Sequence, residues 1–147
     1  MTATDQTIDT CNALLRDEIT AVETYTQAIE KFHSAATDAV LESIRTDHQV
    51  NAFELHKLVS DSGAEPSGSS GAWRGFVQAL ENTASLFGES PALKILQAGE
   101  DNGISQYENA LANADVSEAA KTLIKRTLLP PLSGHLIELQ QRRDRAA

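Results

Sequence analysis

Four stretches of this 147-residue chain carry apolar residues at steps of three and four, a period that only helices packed on one another can bury. The first runs from Asp5 to His33, with Ile8, Cys11, Leu15, Val22, Ile29 and Phe32 on one stripe. The second, Thr37 to Ser62, aligns Leu41, Ile44, Ala52, Leu55 and Val59. The third opens at Ser90–Pro91, an N-cap and first-turn pair, and runs to Asn113 through Leu93, Leu96, Gly103, Tyr107 and Leu111. The last, Val116 to Arg143, presents Ile124, Leu128, Leu132 and Leu139, with Asp115 and Glu118 at capping-box spacing. Pro130 and Pro131 must bend or locally break it, since neither offers a backbone N–H. No segment alternates with the period of two that a half-buried strand requires.

The connection after the second stretch reads GAEPSGSSG, residues 63–71, too long and flexible for a tight turn. A short amphipathic segment follows, 72–86, with Trp73, Phe76, Val77 and Leu80 as its apolar side. The expected fold is all-α: one domain over residues 1–147, a four-helix bundle with a long crossover carrying a short extra helix between helices two and three. Residues 1–6 are expected to form a loose tail.

Each long stripe is interrupted near its middle by a polar residue. Glu18 falls between Leu15 and Val22, His48 between Ile44 and Ala52, Glu100 between Leu96 and Gly103, and His135 between Leu132 and Leu139. The interruptions repeat. Glu18 precedes Tyr25 by seven residues, Glu100 precedes Tyr107 by seven, and each pair is followed by an inward His on the next helix. Seven residues are two turns, so each Tyr shares the face of its Glu. Charges are not left in a core without partners. Two Glu and two His are a ligand set for one iron, zinc or manganese ion, with Tyr25 and Tyr107 bonded to the carboxylates. The same residues also make a metal-free polar network. Arg45, one turn before His48, favours the latter, because its guanidinium can neutralise Glu18 or Glu100 and repel a cation.

The segment DEITAVETY, residues 17–25, resembles the first-helix motif of bacterioferritins, in which a ligand Glu precedes a Tyr by seven. His48, Glu100 and His135 fall where helices two, three and four of that ferritin-like superfamily supply ligands. CNALLRDEITAVETY, IRTDH, GAW, the GEDNG…Y stretch and LLPPLSGHL more closely resemble a bacterial ferritin-like domain family of unknown function. The resemblance spans about Ile8 to Leu139 and implies a ferritin-like four-helix bundle. The chain departs from it at two positions. A di-iron centre of this kind takes Glu-x-x-His from helices two and four. Here the residues three before His48 and His135 are Arg45 and Leu132. Both bridging acids are missing, so the resemblance implies one ion at most and no standard ferroxidase. Asp47 and Asp101 neighbour ligand positions but point about 100° away on their helices. Glu138 lies one turn beyond His135, on the wrong side for the motif.

The remaining residues narrow the functional classes. A net charge of −9 excludes a basic nucleic-acid surface. One cysteine excludes an internal disulfide, and Cys11, on the core stripe, reads as packing. No apolar run is long enough to span a bilayer, and MTATDQTIDT lacks the regions of a secretory leader, so the expected compartment is the cytoplasm. His33 reads as a helix-end residue facing the dipole. Trp73 reads as a cover for one end of the bundle or, if exposed, a homodimer contact. Two functions follow: a reduced ferritin-like centre with one metal ion at Glu18, His48, Glu100 and His135, or a non-enzymatic interaction bundle whose Glu, His and Arg cluster only specifies the fold.

Overall fold

A computed structural model describes residues 3–32, 34–68 and 88–146; His33 and the segment expected as the extra helix, with Trp73, lie outside the described residues. Every regular element among them is helical. Helix α1 spans Ala3–Lys31, α2 Ala35–Asp61 and α3 Glu89–Ala112. The fourth rod comprises α4, Glu118–Leu123, a π-helical turn at Ile124–Leu128, and α5, Pro130–Ala146. Helix α1 thus starts inside the stretch read as a loose tail.

The helix ends follow side-chain chemistry, with two corrections to the sequence reading. Ser34 caps α2, its hydroxyl accepting from the Thr37 N–H at 3.4 Å. Gly63, at φ 81°, takes the left-handed conformation past the end of α2 that glycine adopts without a Cβ penalty. Ser90 does not cap α3: the helix begins one residue earlier, after Gly88 at φ 87°, and Pro91 sits in its first turn, where a missing N–H costs nothing. Ser117, not Asp115, caps α4, accepting from the Ala120 N–H at 3.2 Å.

Helix α1 packs on α2 and on α3, and α5 packs on α3 and on α2. Helices α2 and α3 therefore stand on a diagonal. Two contacts set the chain directions: Tyr25 meets Glu100 and Tyr107 meets Glu18, so α1 and α3 run antiparallel. Helices α2 and α3 then run the same way, and α2 ends at the far end of the bundle from the start of α3. The connection out of α2 lies against α1 over its described part: the Ser67 N–H donates to Asn12 Oδ1 at 2.9 Å, and Arg16 donates to Ser67 Oγ at 3.0 Å.

The apolar interior is split in two. One cluster gathers Cys11, Leu14, Leu15, Leu55, Val59, Ile124, Leu128 and Leu132. The other gathers Ala28, Phe32, Leu41, Ile44, Leu93, Leu96 and Leu139. Between them lies a layer of buried polar groups: Glu18, His48, Asn51, Glu100 and His135.

Candidate metal centre

The polar layer is built from the four seam interruptions, one from each rod. The Tyr25 hydroxyl donates to Glu100 Oε1 and the Tyr107 hydroxyl to Glu18 Oε1, both at 2.7 Å. The two Glu–Tyr repeats thus cross on antiparallel helices, each Tyr serving the other's Glu. His48 lies between the acids, its Nδ1 2.6 Å from Glu18 Oε2 and its Nε2 2.7 Å from Glu100 Oε1. Its ring stacks on Tyr25 at 5.6 Å between centroids. His135 Nδ1 lies 3.2 Å from Glu100 Oε2, and its Nε2 lies 2.8 Å from Asp47 Oδ2.

Asp47 is a correction. Its backbone position is a hundred degrees from His48, but the α2 face it occupies is the one α5 packs against, so it reaches His135 from outside. Arg45 is another. Its guanidinium donates to Thr26 Oγ1 on α1 at 3.3 Å and leaves the carboxylates to the histidines. Asp101 is exposed, and Glu138 is half-buried.

Asn51 has no place in the sequence reading, yet it is buried in the layer. Its amide donates to Leu128 O at 2.9 Å and to Glu18 Oε1 at 3.4 Å. The π-helical turn makes that carbonyl available. Leu129 N–H bonds back to Ile124 O at 2.9 Å, and Leu132 N–H bonds to Leu129 O at 3.0 Å instead of to Leu128 O. Leu128 O thus loses the Leu132 N–H that would serve it in an α-helix, and Asn51 takes it. A seam polar residue three after a His, facing a Pro-Pro helix, is the signal that would have found it.

The electrostatics lock these contacts. Burial alone would lower the His48 pKa, but Glu18 and Glu100 outweigh it and push it up to about 10. His135 is likewise raised against its burial, by Glu100 and Asp47. Burial would raise the Glu100 carboxyl, but hydrogen bonds from His135 and His48 bring it down to about 2. Both Tyr hydroxyls are held well above their ordinary value, by burial and then by the carboxylates they face. Both histidines are thus biased toward the form that carries a proton on each ring nitrogen, facing the acids around them. Cys11 takes no part; burial raises its thiol to about 11, which leaves it unreactive.

A model of a domain of unknown function, DUF2383, matches residues 6–113. The chain belongs to that family. No curated protein and no solved structure gives a match. The DUF2383 match contains Glu18, Tyr25, His48, Asn51, Glu100 and Tyr107, and it ends before the rod that brings His135. Of the layer's members, only His135 is supplied from outside the matched span.

Three members of the layer, His48, Glu100 and His135, offer one ligand atom each within 4.8 Å of one another. Glu18 is outside that group, which departs from the four-ligand set expected from sequence. A cavity of about 530 Å³ lies between α1 and α3. Its inner wall includes Glu18, Tyr25, His48, Glu100 and Tyr107, and small residues such as Ala21, Gly99 and Gly103 line it further out. No helix among the described residues is long and apolar enough to cross a membrane.

Proposed function

We propose that this bundle is a ferritin-like protein that holds one divalent transition-metal ion, iron first among the candidates, on His48, Glu100 and His135. The observation that carries this reading is the way the two histidines are held. Around an ion with bonds of about 2.1 Å, ligand atoms lie roughly 3.3 Å apart, so the three groups fit after small side-chain rotations. The far nitrogen of each His is already on a carboxylate, Nδ1 of His48 on Glu18 and Nε2 of His135 on Asp47. Metal-binding histidines almost always donate their second N–H in this way, which fixes the ring and its tautomer. Two His and one carboxylate are the set used for mononuclear iron, and also for catalytic zinc, with coordination positions left for a substrate. When bound, such an iron ion supplies chemistry with oxygen or peroxide.

The chain's own residues then have separate roles. Glu18 keeps donors from Tyr107, Asn51 and His48 and orients His48 from behind. Tyr25 holds Glu100 Oε1. The apolar clusters on either side exclude bulk water, and the cavity between α1 and α3 brings a small molecule to the His48 and Glu100 side. The topology supports the ferritin-like assignment: two antiparallel hairpins joined along a diagonal. The two lost bridging positions argue for one ion and against a bridged pair.

Elemental analysis after anaerobic loading with Fe²⁺, and separately with Zn²⁺ and Mn²⁺, tests this. The expected result is one equivalent, abolished in His135→Ala and Glu100→Gln. Less than about a tenth of an equivalent of any of the three would overturn it. The second reading, a metal-free interaction bundle, rests on a specific observation: every buried nitrogen and oxygen in the layer already has a protein partner. It predicts a melting temperature that does not respond to metal, whereas a bound ion raises it by mass action.

A further inference from the structure

The layer touches solvent unequally. The side chains of Glu18, His48, Glu100 and His135 are 5% exposed or less, whereas that of Asp47 is 44% exposed. Asp47 stands on the α2–α5 face, across the bundle from the α1–α3 cavity, and neither it nor His135 lines that cavity. An ion thus has two approaches. The cavity wall is mostly apolar, and Arg16 and Asp17 stand together on it without net charge. A hydrated dication meets no unpaired carboxylate on that outer wall and would reach Glu18 and Glu100 only at the inner end of the cavity. The other approach begins at a half-exposed carboxylate and is one imidazole deep. Asp47 Oδ2 lies 2.8 Å from His135 Nε2, and Nδ1 of the same ring lies 3.2 Å from Glu100 Oε2. Arg45 is turned toward Thr26 on α1, which leaves the His135 proton, the one the ion displaces, as the charge on this route.

The internal repeat sharpens the contrast. It pairs His48 with His135, and so pairs Asp47 with Gly134, the residue before each His. The far nitrogen of His48 turns inward to buried Glu18, while that of His135 turns outward to Asp47. Only one of the two hairpins carries a carboxylate at this position.

Resting on the metal reading above, we propose that Asp47 is the entry port for the ion: a divalent cation exchanges water for the Asp47 carboxylate and passes His135 to reach Glu100. A port lowers the barrier in both directions. A carboxylate that merely orients His135 stabilises the bound state alone, so its loss hastens release and leaves uptake unchanged. The two roles are therefore separable by rates.

The experiment uses chelator-stripped full-length protein and Co²⁺, with uptake followed by stopped-flow absorbance and release followed into excess chelator. Asp47→Asn is expected to slow uptake about tenfold or more, as loss of a steering charge does; uptake is the deciding rate, because the lost bond to His135 acts on release in the opposite sense to the lost port. Asp47→Glu, which keeps a carboxylate at a half-exposed position, should restore the uptake rate. Raising salt should slow uptake in the natural protein and have little effect in Asp47→Asn. Uptake at the natural rate with faster release in Asp47→Asn would overturn the port and leave the metal site standing. A change of Co²⁺ coordination number in Asp47→Asn, read from the intensity of its visible bands, would also overturn it, by making Asp47 a ligand. Failure of the natural protein to bind Co²⁺, Zn²⁺ or Fe²⁺ at all would remove the port together with the site.

Discussion

If an ion replaces the protons of this layer, its affinity must climb steeply with pH. His48 is held at about 10, well above neutrality, so at pH 7 it carries the proton that the ion must displace. That competition costs on the order of 4 kcal/mol at pH 7 and falls by about 1.4 kcal/mol for each unit of pH. His135 is also raised, and where it too gives up a proton the slope doubles. Glu100, at about 2, is already ionised and adds nothing above pH 5. The apparent Zn²⁺ affinity should therefore rise between about tenfold and a hundredfold per pH unit from 6 to 8. Competition against a chromophoric chelator, corrected for the chelator's own protonation, measures it. Calorimetry in buffers of different ionisation enthalpy should count between one and two protons released per ion. Glu18→Gln removes a charge that holds the His48 proton, so the steep region should shift to lower pH in that variant. An affinity that is flat from pH 6 to 8, or fewer than about half a proton released, would refute the exchange of ion for proton.

The metal-free protein should respond to pH with the opposite sign. His48 is raised from 6.5 to about 10 on folding, so its contribution is whole below about pH 6.5 and is lost as pH climbs toward 10. Glu100 is lowered from 4.5 to about 2, so its contribution is whole above about pH 4.5 and is lost toward pH 2. Thermal melts of stripped protein should peak between those values and fall by pH 9; a higher melting temperature at pH 9 than at pH 6 would contradict the paired histidines. Asn51→Ala leaves Leu128 O and one lone pair of Glu18 unserved, and urea unfolding should show a loss of about 1–3 kcal/mol. A Cβ at Gly103 would sit 3.0 Å from Leu132 Cδ2, so Gly103→Ala should fall short of the roughly 1 kcal/mol that alanine gains over glycine inside a helix; a full gain in urea unfolding would mean that Leu132 moves aside without cost.

The bundle was legible because burial at steps of three and four leaves little choice of architecture. Leu41, Ile44, Leu55 and Val59 all lie fully inside, as their seam requires. Helix ends were less legible. Ser90 had the right type for a cap, but the chain turns into α3 two residues before it, at a glycine whose positive φ a sequence does not announce. The Asp115–Glu118 spacing points to a cap at Asp115, but α4 begins at Glu118, with Ser117 beside it as the cap. The Pro-Pro break was visible, but its consequence was not. That one carbonyl would need an outside donor depends on where the π-helical turn falls, which is a matter of tertiary packing.

The repeat explains both how far the centre could be read and where its two halves diverge. Glu18 and Glu100 occupy equivalent places in sequence, so an argument from spacing makes both of them ligands. What separates them is the residue three after each His. After His48 it is Asn51, which can donate; after His135 it is Glu138, which when ionised can only accept. Glu18 consequently receives Tyr107, Asn51 and one nitrogen of His48, and two of those three donors have no reason to leave when an ion arrives. Glu100 receives Tyr25 and both histidines, and the two histidine protons are the ones an ion displaces. Asn51→Asp, which removes the donated hydrogen bond and adds an acceptor beside Glu18, should bring the halves closer to equivalence. A second ion taken up by that variant under saturating Fe²⁺ is the expected sign, and a stoichiometry that stays at one would mean that something other than Asn51 keeps Glu18 out of the ligand set.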